Sequence, residues 1–205
     1  MGRPRQHDES TREALLVAAE GLVAEGGMDA VGVRPAAERA GTSTRAVYAL
    51  FGSRQALIQA LAERTFKLLA ERVDAVPVTA DPGEDLVQAA VRGFRLFAVE
   101  HPDLYRLFFT FSSSRGVFGG GAESARAAAY RRLLQRVQRA HSAGLLGTHS
   151  VAKAVLLWDA MCSGLAAREV CGLIDPDVAE QIWTDGLRAL LAGFSVEVGQ
   201  ARSKG

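Results

Sequence analysis

Apolar residues recur three and four positions apart from Ser10 to Val198, and no stretch alternates apolar with polar as a half-buried strand does. A chain with that single period buries its apolar stripes helix against helix, so the expected fold is all-α. "STREALLVAAEGLVAEGG" carries Leu15, Leu16, Ala19, Leu22 and Val23 on one face, with Ser10 or Thr11 as the N-cap and Gly26–Gly27 as the stop. A short helix follows from Val33 to about Ala40, with Pro35 in its first turn, where a missing N–H costs nothing. Gly41 ends it, Ser43 caps a helix to about Leu50, and Ser53 caps a long one from Arg54 to about Val73. "DAVPVTADPG", with its prolines and glycine, reads as a connection between helices and not as a flexible tether. Further helices are expected over Glu84–Glu100, Pro102–Phe111, Glu123–Ala143, Ser150–Cys171 and Pro176–Gly199, with "SSSRGVFGGG" as a disordered loop. The domain division expected is 1–53 and 54–205.

Hydrophobic residues make up 48% and charged residues 23%, which suits a globular chain with a core and excludes a disordered one. A net charge of +1 means that any nucleic-acid surface must be local. Arginine outnumbers lysine 21 to 3, a bias of GC-rich bacterial genomes that speaks of origin and not of function. "MGRPRQHDES" has no apolar core of the signal-peptide kind, and no uncharged apolar run reaches ~18 residues, so a cytoplasmic protein with no membrane segment is expected. Cys162 and Cys171 are expected as small buried hydrophobes in a reducing compartment. His7, His101, His141 and His149 lack metal-ligand spacing, no Ser/His/Asp set is suggested, and "GVFGGGAES" lacks the Gly-Lys-Ser/Thr ending of a phosphate loop. No catalytic residue, metal or cofactor is therefore expected, and no enzyme.

What remains is the stretch "AERAGTSTRAVYALFGSRQAL". Two short helices separated by a glycine turn make a helix-turn-helix. Steeply crossing helices need small side chains at their contact, here Ala36, Ala37 and Ala40, and Gly41 takes the positive φ of the turn. Val47 and Leu50 point inward, which turns Thr44, Arg45, Ala46, Tyr48 and Ala49 outward. Such a helix presents its N-terminal end to a major groove ~12 Å wide. From Arg39 through Glu63 every charged residue but the last is an arginine, and the "GRPR" arm offers either a minor-groove contact or an inert end.

The segment Thr11–Leu61 resembles the DNA-binding domain of the TetR family of bacterial transcriptional regulators. The positions that carry the resemblance are Ala18, Ala19, Leu22, Gly26, Ala37, Glu38, Ala40, Gly41, Ser43, Tyr48, Phe51, Ser53, Arg54 and Leu57. The resemblance implies an N-terminal three-helix DNA-binding domain joined by a long helix to a C-terminal helical bundle for ligand binding and dimerisation. It implies that Thr44, Arg45 and Ala46 face base edges or nearby phosphates, with Thr42 and Ser43 in the same DNA-contacting set. Tyr48 would donate its hydroxyl to a phosphate, Arg54 would clamp another, and Phe51 would join the reading helix to the long one. Three positions depart from the family pattern. Val31 and Gly32 stand where Ser or Thr is usual, leaving Arg34 as the nearby phosphate candidate; Ala36 replaces an isoleucine; Leu50 replaces His or Tyr.

The C-terminal part is dense in aromatic residues. Phe97, Tyr105, Phe108, Phe109, Trp158 and Met161 are as a set the candidate lining of an apolar ligand cavity, although core packing is the better reading of any single one of them. "HPDLYRLFF" and "LLWDAMCSGLAARE" resemble effector-binding segments of the same family, with Ser163 where a histidine is frequent. Ser150–Cys171 and Pro176–Gly199 carry faces wider than one neighbour covers, and the resemblance assigns that excess to a twofold mate. In "AYRRLLQRVQRAH" the face of Arg132, Arg136 and Arg139 is expected to be solvated. The function expected is a homodimeric repressor on double-stranded DNA, released from a pseudo-palindromic operator by a small apolar or aromatic effector. The alternatives are a ligand-independent regulator controlled by a protein partner, and a small-molecule-binding helical protein or enzyme with a vestigial helix-turn-helix.

Overall fold

The computed structural model describes residues 4–110 and 121–201, with side chains placed for 8–109 and 121–195. The elements in order are α1 (Pro4–Ala30), α2 (Val33–Arg39), α3 (Thr44–Phe51), α4 (Arg54–Ala75), α5 (Pro82–Gln88), a π-helical stretch Ala89–Arg95, α6 (Leu96–Glu100), α7 (Pro102–Tyr105), a π turn Arg106–Thr110, α8 (Gly121–Ser142), α9 (Val151–Val170) and α10 (Pro176–Ala201). Among the described residues every element is helical, as the single period in the sequence requires. The expected loop at 112–121 lies outside the described residues except for Gly121, which already opens α8; Arg3 and Arg5 of the "GRPR" arm lie outside those with placed side chains.

Two boundaries differ from expectation for local reasons. α1 begins at Pro4, so Ser10 and Thr11 are interior to it and neither is its N-cap; proline at the first helical position gives up only an N–H that has no intrahelical partner. Gly26 (φ −153°) and Gly27 (φ 67°) break the helix as expected, although the chain resumes helical bonding to Ala30. The run expected from Glu84 begins at Pro82 because Asp81 Oδ1 accepts the N–H groups of Gly83 and Glu84, both at 3.0 Å.

The chain forms two compact units, Met1–Lys67 with Asp103–Arg126, and Leu68–Pro102 with Ala127–Gly205. In the first, Leu15, Leu16, Ala19 and Val23 of α1 are buried, as are Val31, Ala36, Ala37, Val47, Leu57, Ile58 and Leu61. Arg64 of α4 bridges two carboxylates of α1, Glu13 at 3.0 Å and Glu20 at 2.7 Å. Phe66 packs against Phe108 and Phe109, and Tyr105 stacks on Phe109 with ring centroids 5.5 Å apart.

In the second unit, Leu86, Val87, Phe97, Leu146, Trp158, Trp183 and Leu187 form the core. A buried ion pair crosses it: Arg95 Nη2 lies 2.9 Å from Glu169, whose other oxygen accepts the Trp183 indole N–H at 2.8 Å. Gly93 brings the π-helical stretch onto the end of α4; a Cβ there would lie 2.9 Å from Val73 Cγ2 and 3.2 Å from its Cα.

The arginine face of α8 is only partly solvated, against the sequence expectation: Arg132 and Arg139 are half-exposed and Arg136 is buried. Arg136 is 7% exposed and donates to the carbonyls of Val73, Val76 and Asp85 at 2.9–3.1 Å. Arg139 pairs with Asp85 and donates to the Thr79 carbonyl, and Arg132 pairs with Asp74. The reason is distributed along the chain. α8 supplies side-chain donors to carbonyls at the end of α4, in the connection after it and in α5; those of Val73 and Asp85 also accept a backbone N–H, from Val76 and Ala89. The connection 74–83 is accordingly hydrogen-bonded at Val76 and Thr79. The cysteine expectation holds for Cys162, which is buried, and fails for Cys171, which caps the exposed end of α9.

Candidate nucleic-acid interface

The reading element is assembled by short-range bonds. α2 starts from Gly32 in extended conformation with no side-chain cap, as the missing serine or threonine implied. At its end the Thr42 N–H donates to the Ala37 carbonyl at 2.9 Å and the Gly41 N–H to Glu38 at 3.2 Å, with Gly41 at φ +65°. This paired closure needs a left-handed residue, which glycine supplies without a Cβ clash. Ser43 is extended, and its Oγ accepts the Ala46 N–H at 3.2 Å, starting α3. Gly52 (φ +81°) ends α3, and Ser53 Oγ accepts the Ala56 N–H to start α4.

α3 is thus held by its ends and by one face. Val47 is fully buried there, while Leu50 and Phe51 are half-buried. Arg12 of α1 lies 5.4 Å from the Phe51 ring centroid, a cation–π contact that no local pattern announces. On the opposite face Thr44, Arg45 and Ala49 are exposed, Ala46 is half-buried, and Tyr48 is 57% exposed. Arg45 and Tyr48 are neighbours at i, i+3, and neither side chain makes a hydrogen bond or ion pair among the described residues. Thr42 is half-buried at the turn and Ser43 is exposed beside it.

The other arginines of this region are differently engaged. Arg34 is exposed on α2 and paired with Glu38 at 2.8 Å, a surface contact too weak to hold it from another partner. Arg39 lies flat on α1, paired with Glu25 at 2.5 Å; its guanidinium occupies the space where a Cβ on Gly21 would sit. Arg54 donates from Nε to the Val31 carbonyl at 2.5 Å and from Nη2 to the Met28 carbonyl at 2.7 Å. Sequence reasoning missed these acceptors, because a backbone carbonyl has no residue-type signature.

Of the candidate ligand residues, Tyr105, Phe108 and Phe109 belong to the first unit and surround Phe66. Phe97 and Trp158 are buried in the second unit, where Met161 is half-buried. A surface hollow lined by Arg95, Val99, Glu169, Leu173 and Ile174 includes none of the six. Among the described residues no three of His, Cys, Asp or Glu are grouped so as to hold a metal ion, and no helix is long and apolar enough to cross a membrane.

Comparison with known proteins bears directly on this arrangement. The family profile described as bacterial regulatory proteins of the tetR family matches residues 15–61, and that of the tetracyclin repressor-like C-terminal domain matches 87–190. Among curated protein sequences none matches the chain. A protein of unknown function from Rhodococcus sp. RHA1 is 25% identical, with a TM-score of 0.78 over 89% of this chain and 94% of its own. A TetR family transcription regulator from Marinobacter aquaeolei VT8 is 23% identical, with a TM-score of 0.71 over 88% and 97%. RolR in complex with resorcinol is 22% identical, with a TM-score of 0.61 over 97% and 94%. The two profiles cover the helix-turn-helix and most of the helical remainder, and the chain belongs to the TetR family of bacterial DNA-binding transcription regulators.

Proposed function

We propose that the protein is a non-enzymatic, homodimeric repressor of the bacterial cytoplasm that reads a pseudo-palindromic operator and leaves it on binding a small apolar or aromatic molecule. The observation that carries the DNA reading is the unpartnered pair Arg45 and Tyr48 on the open face of a helix whose other face holds the buried Val47. Arg45 reads a base edge, where a guanidinium bonds both acceptors of a guanine. Tyr48 and Arg34 contact phosphates, and Thr42, Ser43, Thr44 and Ala46 line the same approach.

Dimerisation is supported by the outer faces of α9 and α10. Leu156 (67% exposed), Leu157, Val178 and Ile182 stand open, while Val155, Trp158, Trp183 and Leu187 fill the protomer's own core. A second copy covers the first set and sets two reading helices ~34–36 Å apart, one turn of DNA. For the effector, each unit supplies its own apolar candidates, Tyr105, Phe108 and Phe109 in the first and Phe97, Trp158 and Met161 in the second; RolR, of the same fold, was solved with resorcinol. A coupling of ~1–3 kcal/mol would weaken operator binding about 5–150-fold.

Selection from a random duplex pool tests the reading. The dimer should enrich a twofold-symmetric sequence with half-sites one helical turn apart, and a pool that stays random after repeated rounds would end it.

A further inference from the structure

We propose that Arg54 is a positioning residue, which fixes the pose of the reading helix by tying the start of α4 to the α1–α2 corner. The inference rests on the DNA-reading assignment of α3 made above. α3 spans Thr44–Phe51, too short to hold a pose alone, and Val47 is its single fully buried side chain. Its direction is therefore set by what grips its two ends. The N-terminal end is gripped by the Gly41 closure and the Ser43 cap.

The C-terminal end is gripped by Arg54, two residues past Gly52. Its Nε and Nη2 reach back to Val31 O at 2.5 Å and Met28 O at 2.7 Å, closing the three helices into a ring. Hydrogen bonds from a charged donor are short and strong, as these are. Nε and Nη2 also form the edge with which arginine grips a phosphate by two parallel bonds. Arg54 is exposed, but that edge is occupied by the chain's own backbone, so Arg54 acts on DNA through α3 and not by gripping a phosphate with that fork. Lysine cannot replace it, because one ammonium lacks the planar fork that spans both carbonyls.

The experiment uses the full chain and a duplex enriched by the parent protein from a random pool, with a scrambled duplex for comparison. Affinity is measured against potassium chloride concentration for the parent, Arg54→Lys and Arg54→Ala, with melting by circular dichroism to show that each variant is folded. Without the tie the competent pose is populated only in part, and apparent affinity falls by that fraction. The expected result is at least roughly tenfold weaker binding to the selected duplex, little change on the scrambled one, and an unaltered salt slope. Equal weakening on both duplexes, with a slope shallower by about one, would show a phosphate contact and overturn the proposal. A second readout needs no DNA. The Arg54 Nε–H signal should be protected from exchange in the free protein and unmoved by the duplex; a signal that becomes protected only with DNA contradicts the tie. Arg45→Ala serves as the control, since unchanged binding by that variant would fail the reading assignment while the Nε–H signal still decides the role of Arg54.

Discussion

Arg139 Nη1 donates to Asp85 Oδ2 at 2.7 Å, joining α8 to α5 at a carboxylate that is only 3% exposed. The same carboxylate accepts the N–H and the hydroxyl of Thr79, so one aspartate organises the connection that follows α4. A buried charge costs several kcal/mol unless it is paired and hydrogen-bonded, and here it is both.

Acid should therefore weaken the second unit. Burial opposes the Asp85 charge, but Arg139 and Thr79 together outweigh it and hold the carboxyl below its ordinary range. Gln88 and then Arg188 hold Glu84 low as well. A carboxyl with a depressed folded pKa contributes its full stability above its unfolded pKa, ~4, and loses it as pH falls through the folded value. The urea midpoint should drop as pH is lowered from ~5 toward ~3, and Asp85→Asn should make that drop shallower. An equally steep drop in the variant would remove Asp85 from the account.

Arg136→Ala should be among the most damaging substitutions in the chain. It strips a donor from three carbonyls at the α4 end and the α5 start and opens a cavity in their place. The expected loss is about 3 kcal/mol, or a melting temperature lower by roughly 6–12 °C. Arg131→Ala, one position away on the exposed side of α8, should change stability by less than about 0.5 kcal/mol. Similar melting of the two variants would mean that the buried Arg136 is not a structural tie.

Ile182→Glu and Leu156→Glu probe the proposed dimer. Both residues are exposed in the protomer, so neither charge should perturb its core. Sedimentation should show a dimer for the parent and a monomer for each variant, with melting of the protomer core retained at high concentration. Dimers that persist in both variants would place the interface elsewhere.

The two thiols should differ sharply toward an aromatic disulfide reagent. Cys171 is exposed, whereas Cys162 is buried, and that burial, followed by the nearby Asp159 charge, pushes its pKa up and suppresses the reactive thiolate. One equivalent per chain should react in buffer and the second only in denaturant. Two fast equivalents would contradict the packing of α9.

How far the sequence reveals these features depends on how local their causes are. Gly41, Ser43 and Ser53 act on partners within five residues, so the turn and both caps follow from residue type and spacing. The arginines do not behave so. Arg136 and Arg54 bond to carbonyls 23–63 residues away, and carbonyls belong to every residue. An arginine row on a helix consequently reads as wholly solvated when one member, Arg136, is buried. Exposure at Cys171 escapes notice because the apolar pattern of α9 gives no sign of where the buried face ends. The aromatics of "LYRLFF" are legible as buried, but their companion Phe66 is not legible from spacing, since it lies on another helix.

The most direct test of the central claim is the affinity of Arg45→Ala and Tyr48→Phe for the selected duplex and for single-base variants of it. Arg45→Ala should lose about 1–3 kcal/mol and with it the discrimination at one base pair of each half-site. Tyr48→Phe should weaken all duplexes alike, as the loss of a phosphate contact does. If both variants bound every duplex as the parent does, α3 would not be the reading helix.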